Sequence, residues 1–386
     1  MSIEKRRAAR AAVAVVVAAC LTASMAPATA APGGSSAIPA PPSRAALVQQ
    51  AERIVAAGTP GVVVETRDED GGQTVVAGTG DLRTGRAPQP HGQVRIGSVT
   101  KTFTATVVLS LVAEGRVDLD APIGRYLPGV LPYAEPITVR ELLQHRSGLY
   151  DYGTVLWATP EVAARSRFAD HEPSELVGIA TREPLQSAPG VEFGYSNTDY
   201  VLLGMLVERV TGHGYARELE RRVLRPAGLR HTYVPGHSPW LLRPAARGYE
   251  AVGSFAGLTD LTAYNMSVAW ASGDLVSTVG DVNRFYAALL GGRLLPDPLL
   301  REMRQTLPAF PGFDYGLGLG RTEFCGQEVW GHVGGVPGYG TYSFTSARSG
   351  RQVTVVVNQG LTQNMAAEDA AYALVALEFC GEHAAG

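Results

Sequence analysis

Lysine is nearly absent from this sequence: among 33 basic side chains in 386 residues, only Lys5 and Lys101 are lysine, and the rest are arginine. A guanidinium cannot give up its proton in a protein, whereas a desolvated ε-amine can. The scarcity singles out Lys101 as a place where a mobile proton is wanted. Long apolar runs are missing past residue 30, which excludes a membrane-spanning helix of about 20 residues. With three cysteines and no Cys/His cluster at ligand spacing, no metal or other cofactor is implied. Nor is positive charge in excess: 33 basic against 36 acidic side chains give −3, which removes the electrostatic case for a nucleic-acid partner.

What is present begins with residues 1 to 30, which read as a signal peptide. Lys5, Arg6, Arg7 and Arg10 form its charged part, Ala11 to Leu21 its apolar part, and Ala28-Thr29-Ala30 a small-residue cleavage site. The mature protein is therefore expected to be secreted. Val17-Ala18-Ala19-Cys20 offers an alternative, a lipoprotein box that would leave a lipid-anchored Cys20. Taking away those four cations and Glu4 turns 33 against 36 into 29 against 35, a net of −6. Cys325 and Cys380 are then an even pair in an oxidising compartment, so a disulfide is expected. Residues 31 to 42, rich in Ala, Pro, Gly and Ser, read as a flexible leader.

Residues 43 to 381 are expected to form the folded part. Ser43 to Ala57 reads as a helix, and Gly61 to Thr66 with Gln73 to Gly78 as a β-hairpin. From Ser98 to Glu114 the positions Val99, Phe103, Val107, Leu111 and Val112 recur at helical spacing, and Gly115 can cap the end. Thr138 to Glu141 is a capping box. Asp199 to Val210 and Val279 to Leu290 are further helices, each ended by glycine. Strand character returns at Glu328 to His332, Gly340 to Thr345 and Gln352 to Val357, before a last helix near Asn364 to Phe379. The fold class is α+β: one antiparallel sheet built from both chain ends (about 43–97 and 310–381), flanked by terminal helices, with a mostly helical insertion (about 98–309).

Three separated clusters carry chemistry. Ser98 precedes Lys101 by three residues, so on a helix a nucleophile and a base share one face. Tyr195-Ser196-Asn197 places a phenol and a carboxamide in a Gly-flanked loop before a helix. His332-Val333-Gly334-Gly335 ends a strand where glycines let a substrate lie along the backbone. Gly194-Tyr195-Ser196-Asn197-Thr198 lacks the second glycine of a nucleophile elbow. His231 and His237 are too far apart for a helical zinc pair, and Gly316 to Gly320 has neither the lysine nor the following helix of a phosphate loop.

Ser-x-x-Lys, Tyr-x-Asn and a basic residue with Gly two places on, in this order, resemble the penicillin-recognising serine hydrolases, in particular the class C type β-lactamases and the secreted actinomycete D-alanyl-D-alanine carboxypeptidases. Arg95 to Lys101, His145 to Tyr152, Tyr315 to Leu319 and Gly331-His332 extend the resemblance over about residues 43 to 381. It implies a Ser98 acyl-enzyme in which Lys101 or Tyr195 is the base, and an oxyanion hole from the amides of Ser98 and Gly335. Asn197 would hold a substrate amide and His332 the basic position of the third motif. Arg321 would bind a substrate carboxylate, and Trp157 and Trp270 would line the cleft.

The activity so implied is a serine D-alanyl-D-alanine carboxypeptidase acting on peptidoglycan stem peptides and acylated by β-lactams. Esterase, D-amino-acid amidase or peptidase, and β-lactamase stay open on the same scaffold. A silent binding protein is disfavoured by the intact Ser98, Lys101 and Tyr195. The carboxypeptidases usually read His-Thr-Gly-Thr in the third motif. Val333 and Gly335 stand at the two threonines here, so two hydroxyls beside the substrate carboxylate are missing.

Overall fold

The computed structural model of the chain describes residues 38–69, 71–253, 257–360 and 364–382. The stretch expected to be a signal peptide, Cys20, and the first part of the expected leader lie outside the described residues. Among the described residues no helix is long and apolar enough to cross a membrane.

The first helix, α1 (Arg44–Ala56), is started by Ser43, whose hydroxyl accepts from Ala46 N. Its Leu47, Ala51 and Ile54 face inward. It leads into the hairpin of β1 (Gly61–Arg67) and β2 (Gly72–Gly78). A short β3 (Val94–Arg95) precedes the turn carrying Ser98, and α2 (Thr100–Ala113) runs through the interior. Thr138 and Glu141 close the expected capping box at the start of α3 (Val139–Leu143). The insertion continues through α4 (Pro173–Ala180) and α5 (Asn197–Thr211), the latter capped by Gly212 at φ 72°. The two short ladders β4 (Tyr249–Ala251) with β5 (Leu258–Asp260), and β6 (Val276–Ser277) with β3, lie outside the main sheet. After α6 (Val279–Leu290) and α7 (Asp297–Met303) the strands β7 (Leu307–Phe310), β8 (Phe313–Tyr315), β9 (Gly320–Phe324), β10 (Gln327–Val336), β11 (Tyr339–Ser346) and β12 (Gln352–Val357) complete the sheet, and α8 (Met365–Cys380) closes the fold.

The eight-stranded sheet runs β2-β1-β12-β11-β10-β9-β8-β7, and its neighbouring strands are antiparallel. Sequence-remote ends meet one strand in from the β2 edge, where Val62 pairs with Val357 and Thr66 with Val353. These strands are Val-rich because both faces are buried. One face presents Val62, Val64, Val355 and Phe344 to α1 and α8, and the other turns Val63, Val356 and Trp330 to the helical body. Asn283 of α6 pins that body to the sheet: its amide donates to Glu65 O and its Oδ1 accepts from Thr354 Oγ1.

Three expectations are corrected. Ser98 does not begin a regular α-helix, because Gly97 at φ 54° winds residues Gly97–Val99 into a tighter 3-10 turn ahead of α2. β7 to β9 went unread, since strands of three to five residues rich in Gly, Pro and charge carry little alternation. The end of the leader is held: Arg351, buried in an ion pair with Glu378, also donates to Pro39 O at 2.8 Å.

Cys325, in the turn between β9 and β10, is bonded to Cys380 at the end of α8 with a Cα separation of 5.4 Å. Closing this 55-residue span constrains the unfolded chain by about 4 kcal/mol in the loop-entropy treatment. Cys380→Ser is expected to lower the urea midpoint of the purified protein, with activity at 25 °C retained. An unchanged midpoint would count against that estimate.

Candidate active site

β10 and the Ser98 turn touch backbone to backbone, and glycine makes this contact feasible. A Cβ on Gly334 would lie 2.1 Å from Ile96 O and 2.9 Å from Ser98 N, and one on Gly97 would lie 2.9 Å from Gly335 N. The amides of Ser98 and Gly335 are thereby gathered side by side, as an oxyanion hole requires. Gly334→Ala must push the strand off the turn. With misplacements near 1 Å costing about 100-fold, the expected result is a kcat loss of that order with the fold intact. A variant within twofold of the parent would show that this contact is not needed.

Ser98 is half-buried, with Lys101 fully buried beneath it. Lys101 Nζ is 3.1 Å from Ser98 Oγ, 2.7 Å from Asn197 Oδ1 and 2.9 Å from Ser272 O. The last two atoms can only accept. A neutral amine has two N–H bonds and one lone pair, so satisfying both acceptors leaves its lone pair to the serine hydroxyl. Burial holds the amine down to about 7, although the carboxylates of Asp151 and Asp199 pull it the other way.

Asn197, at the start of α5, is kept in the orientation this demands. Its Nδ2 donates to Asp151 Oδ2 at 3.1 Å, and Asp151 Oδ1 accepts from the amides of Gly153 and Asn197. Burial raises the Asp151 carboxyl, against those amide bonds and Lys101. Ser272 is fixed by Tyr152, whose hydroxyl lies 3.3 Å from Ser272 Oγ and donates to Val268 O. Arg95, at the other end of the nucleophile turn, is wholly buried and donates to Pro239 O and Thr262 O.

The Tyr195 ring lies 4.8 Å from Lys101 Nζ. Its hydroxyl is buried and has no hydrogen-bond partner among the described residues. Burial pushes the phenol up, the nearby Ser98 hydroxyl opposing. With the amine near 7 and the phenol raised, the group able to take a proton at neutral pH is Lys101.

His332 sits on β10 between Tyr315, whose hydroxyl is 2.9 Å from Nε2, and its neighbour's carbonyl, Val333 O, which engages Nδ1. A carbonyl only accepts, so Nδ1 carries the proton and Nε2 receives the Tyr315 hydroxyl. Burial and the charge on Lys101 depress the imidazole to about 3. His332 thus fills the basic position of the third motif as an uncharged ring, a correction to its expected character.

Arg321 is a second correction. It pairs across the ladder with Trp330, two residues from His332. Its Nη1 is 2.8 Å from Asp314 and its Nε 2.7 Å from Glu328, so both sides of the guanidinium are already held by carboxylates. Trp157 and Trp270 each pack on one side and keep part of their surface exposed: Trp157 Nε1 donates to Tyr264 Oη at 3.1 Å, and Trp270 lies on Gly204 and 5.5 Å from the Tyr215 ring. Both are partly buried against the main core.

Ser98, Lys101, Tyr195 and Asn197 are therefore brought together, with His332 and Gly335 on the adjoining strand. Asp151, Tyr152, Ser272, His145 and Asp199 were not singled out from sequence. Four of them fall in the stretches His145 to Tyr152 and Asn197 to Asp199, but a buried carboxylate that orients an amide leaves no spacing signature of its own.

The family described as Beta-lactamase matches residues 45–378. A D-stereospecific amidohydrolase from Streptomyces sp. is 37% identical over 88% of this chain and 99% of its own, with a TM-score of 0.79. The D-amino acid amidase from Ochrobactrum anthropi SV3, solved with D-phenylalanine, is 31% identical over 86% and 97%, with a TM-score of 0.77. Penicillin-binding protein 4* of Bacillus subtilis (strain 168) is 29% identical over 282 residues, 68% of this chain and 60% of that protein. The chain spans no more than 60% of the length of the first curated relatives it matches.

Proposed function

Because the chain belongs to the β-lactamase family of penicillin-recognising serine hydrolases, we propose that it hydrolyses amides and peptides of D-amino acids bearing a free amino group, through a Ser98 acyl-enzyme. Lys101, as free amine, takes the Ser98 proton while Oγ adds to the substrate carbonyl. The amides of Ser98 and Gly335 receive the oxyanion. Tyr195, kept protonated by burial, stands where a leaving nitrogen can collect a proton, which the Lys101 ammonium then replaces. Water repeats the sequence on the ester, releasing the acid and restoring Ser98.

The observation that carries the substrate class is the charge balance around Ser98. The cation expected to hold a substrate carboxylate, Arg321, is taken by Asp314 and Glu328. His332 is neutral, and Val333 and Gly335 bring no hydroxyl. Asp151, by contrast, is a half-buried carboxylate beside Asn197, and among the described residues its Oδ2 accepts from Asn197 Nδ2 alone. An ammonium fits there better than a carboxylate does. The likeness to D-amino acid amidohydrolases supports the same reading.

The test is a substrate panel. D-phenylalanine amide should be hydrolysed well above its L form, and N-acetylation of its amine should slow it. Release of D-alanine from diacyl-Lys-D-Ala-D-Ala without amide turnover would replace this reading with the second one. That second reading, a D-alanyl-D-alanine carboxypeptidase of peptidoglycan stem peptides acylated by β-lactams, is favoured by the complete Ser-Lys-Tyr-Asn set and the likeness to penicillin-binding protein 4*. We also read the protein as exported, on the charged and apolar parts of residues 1 to 30 and a disulfide suited to an oxidising compartment.

A further inference from the structure

His145 is an unusual residue in an unusual place. It is fully buried, and its backbone is left-handed at φ 54°, a conformation that costs a non-glycine side chain and persists only when its surroundings demand it. What it touches is the loop carrying Tyr195. The amide of Gly194, just before Tyr195, donates to His145 O at 2.7 Å. The amide of Ser196, just after, donates to His145 Nδ1 at 3.3 Å. Between them the Tyr195 ring lies tilted on the imidazole, with centroids 4.2 Å apart. One residue thus grips the phenol's loop on both flanks and supports its ring.

The imidazole is itself fixed from behind. Asp199 Oδ2 lies 2.9 Å from Nδ1, and Asp199 Oδ1 accepts the Ser147 hydroxyl, whose oxygen receives Leu149 N. All three side chains of this relay are buried. The Asp199 contact to Nδ1, at 2.9 Å, is shorter than that of Ser196 N and ties the imidazole to the buried Asp199 carboxyl.

We propose that His145 is a positioning residue that holds Tyr195 at Ser98, with Asp199 fixing the imidazole from behind. Burial drives the Asp199 carboxyl well above and the His145 imidazole well below their ordinary values. The nearby charges of Lys101 and Asp151 and the neutral His332 do not reverse either direction. The imidazole is also packed against the rings of Tyr200, Tyr315 and Phe193. The inference rests on Tyr195 taking part in the reaction.

The test uses the full chain with a chromogenic D-aminoacyl anilide, kcat being expressed per active site titrated by acylation. His145→Asn keeps an acceptor near the Nδ1 position and tolerates left-handed backbone, but removes the ring beneath Tyr195. The expected result is a kcat loss of about 10- to 100-fold, the scale of a misplaced acid–base group, with KM within threefold. In a Tyr195→Phe background the same substitution should cost less than threefold more. An undiminished kcat for His145→Asn, or full additivity with Tyr195→Phe, would overturn the positioning role. A fully active Tyr195→Phe would instead remove the reading of Tyr195 on which it rests. Asp199→Ala, which frees the imidazole from behind, should lower kcat in the same way as His145→Asn, and a kcat within about threefold of the parent would remove Asp199 from the support of the ring.

Discussion

Ser98→Ala should reduce turnover of any accepted amide or ester by about 10⁴- to 10⁶-fold, the scale seen when a serine nucleophile is removed. The rest of the site would remain: the amides of Ser98 and Gly335 do not depend on the hydroxyl, and Lys101 would keep Asn197 Oδ1 and Ser272 O. Residual activity would therefore be that of a binding pocket without a nucleophile. The same variant answers whether β-lactams acylate the protein. A fluorescent penicillin should label the parent covalently and leave Ser98→Ala dark after denaturing electrophoresis. Labelling that persists in the variant would move the nucleophile elsewhere and end the assignment.

Lys101 gives the second large effect and a pH signature. The base must be unprotonated to accept the Ser98 proton, so activity belongs to pH values above the folded pKa and fades below it. With burial holding that value at about 7, kcat/KM for an uncharged ester should climb tenfold per unit below pH 6 and level off above pH 8. An acid limb near 10 would mean that the amine is not desolvated in solution. Lys101→Arg puts a permanent cation in the same space and should cost at least about 10³-fold with no recovery at high pH. Lys101→Met, similar in length and uncharged, separates loss of the base from loss of the fold: it should fold and be equally inactive. Substantial activity in Lys101→Met would transfer the base role to Tyr195, whose buried phenol makes that the less favourable arrangement.

The sequence disclosed the nucleophile turn because composition isolated it, and it disclosed the central strands because Val-rich runs such as Val353 to Val357 have one simple use. The disulfide followed from two cysteines left without alternatives. Family resemblance carried the choice of Tyr195, Asn197 and His332, since spacing does not bring Ser98 and residue 195 together. What stayed hidden was relational. The burial that makes His332 neutral comes from residues far along the chain. The preoccupation of Arg321 depends on a ladder register that pairs it with Trp330 and brings Asp314 and Glu328 within reach. His145 and Asp199 read as ordinary polar residues until the fold sets one beneath Tyr195 and the other behind it.

The pairing of β1 with β12 also governs when the enzyme comes into existence. Joining Val62 to Val357 closes a loop of roughly 290 residues, which costs about 5 kcal/mol in chain entropy before any contact rewards it. Topologies dominated by such distant contacts fold slowly. A chain leaving the ribosome carries Ser98 long before Gly334 and Gly335 arrive to complete its oxyanion hole, and longer still before β12 fills the gap beside β1. Chains that stop short of β12 are therefore expected to lack a complete site, and the onset of hydrolysis would report the last long-range closure of the polypeptide.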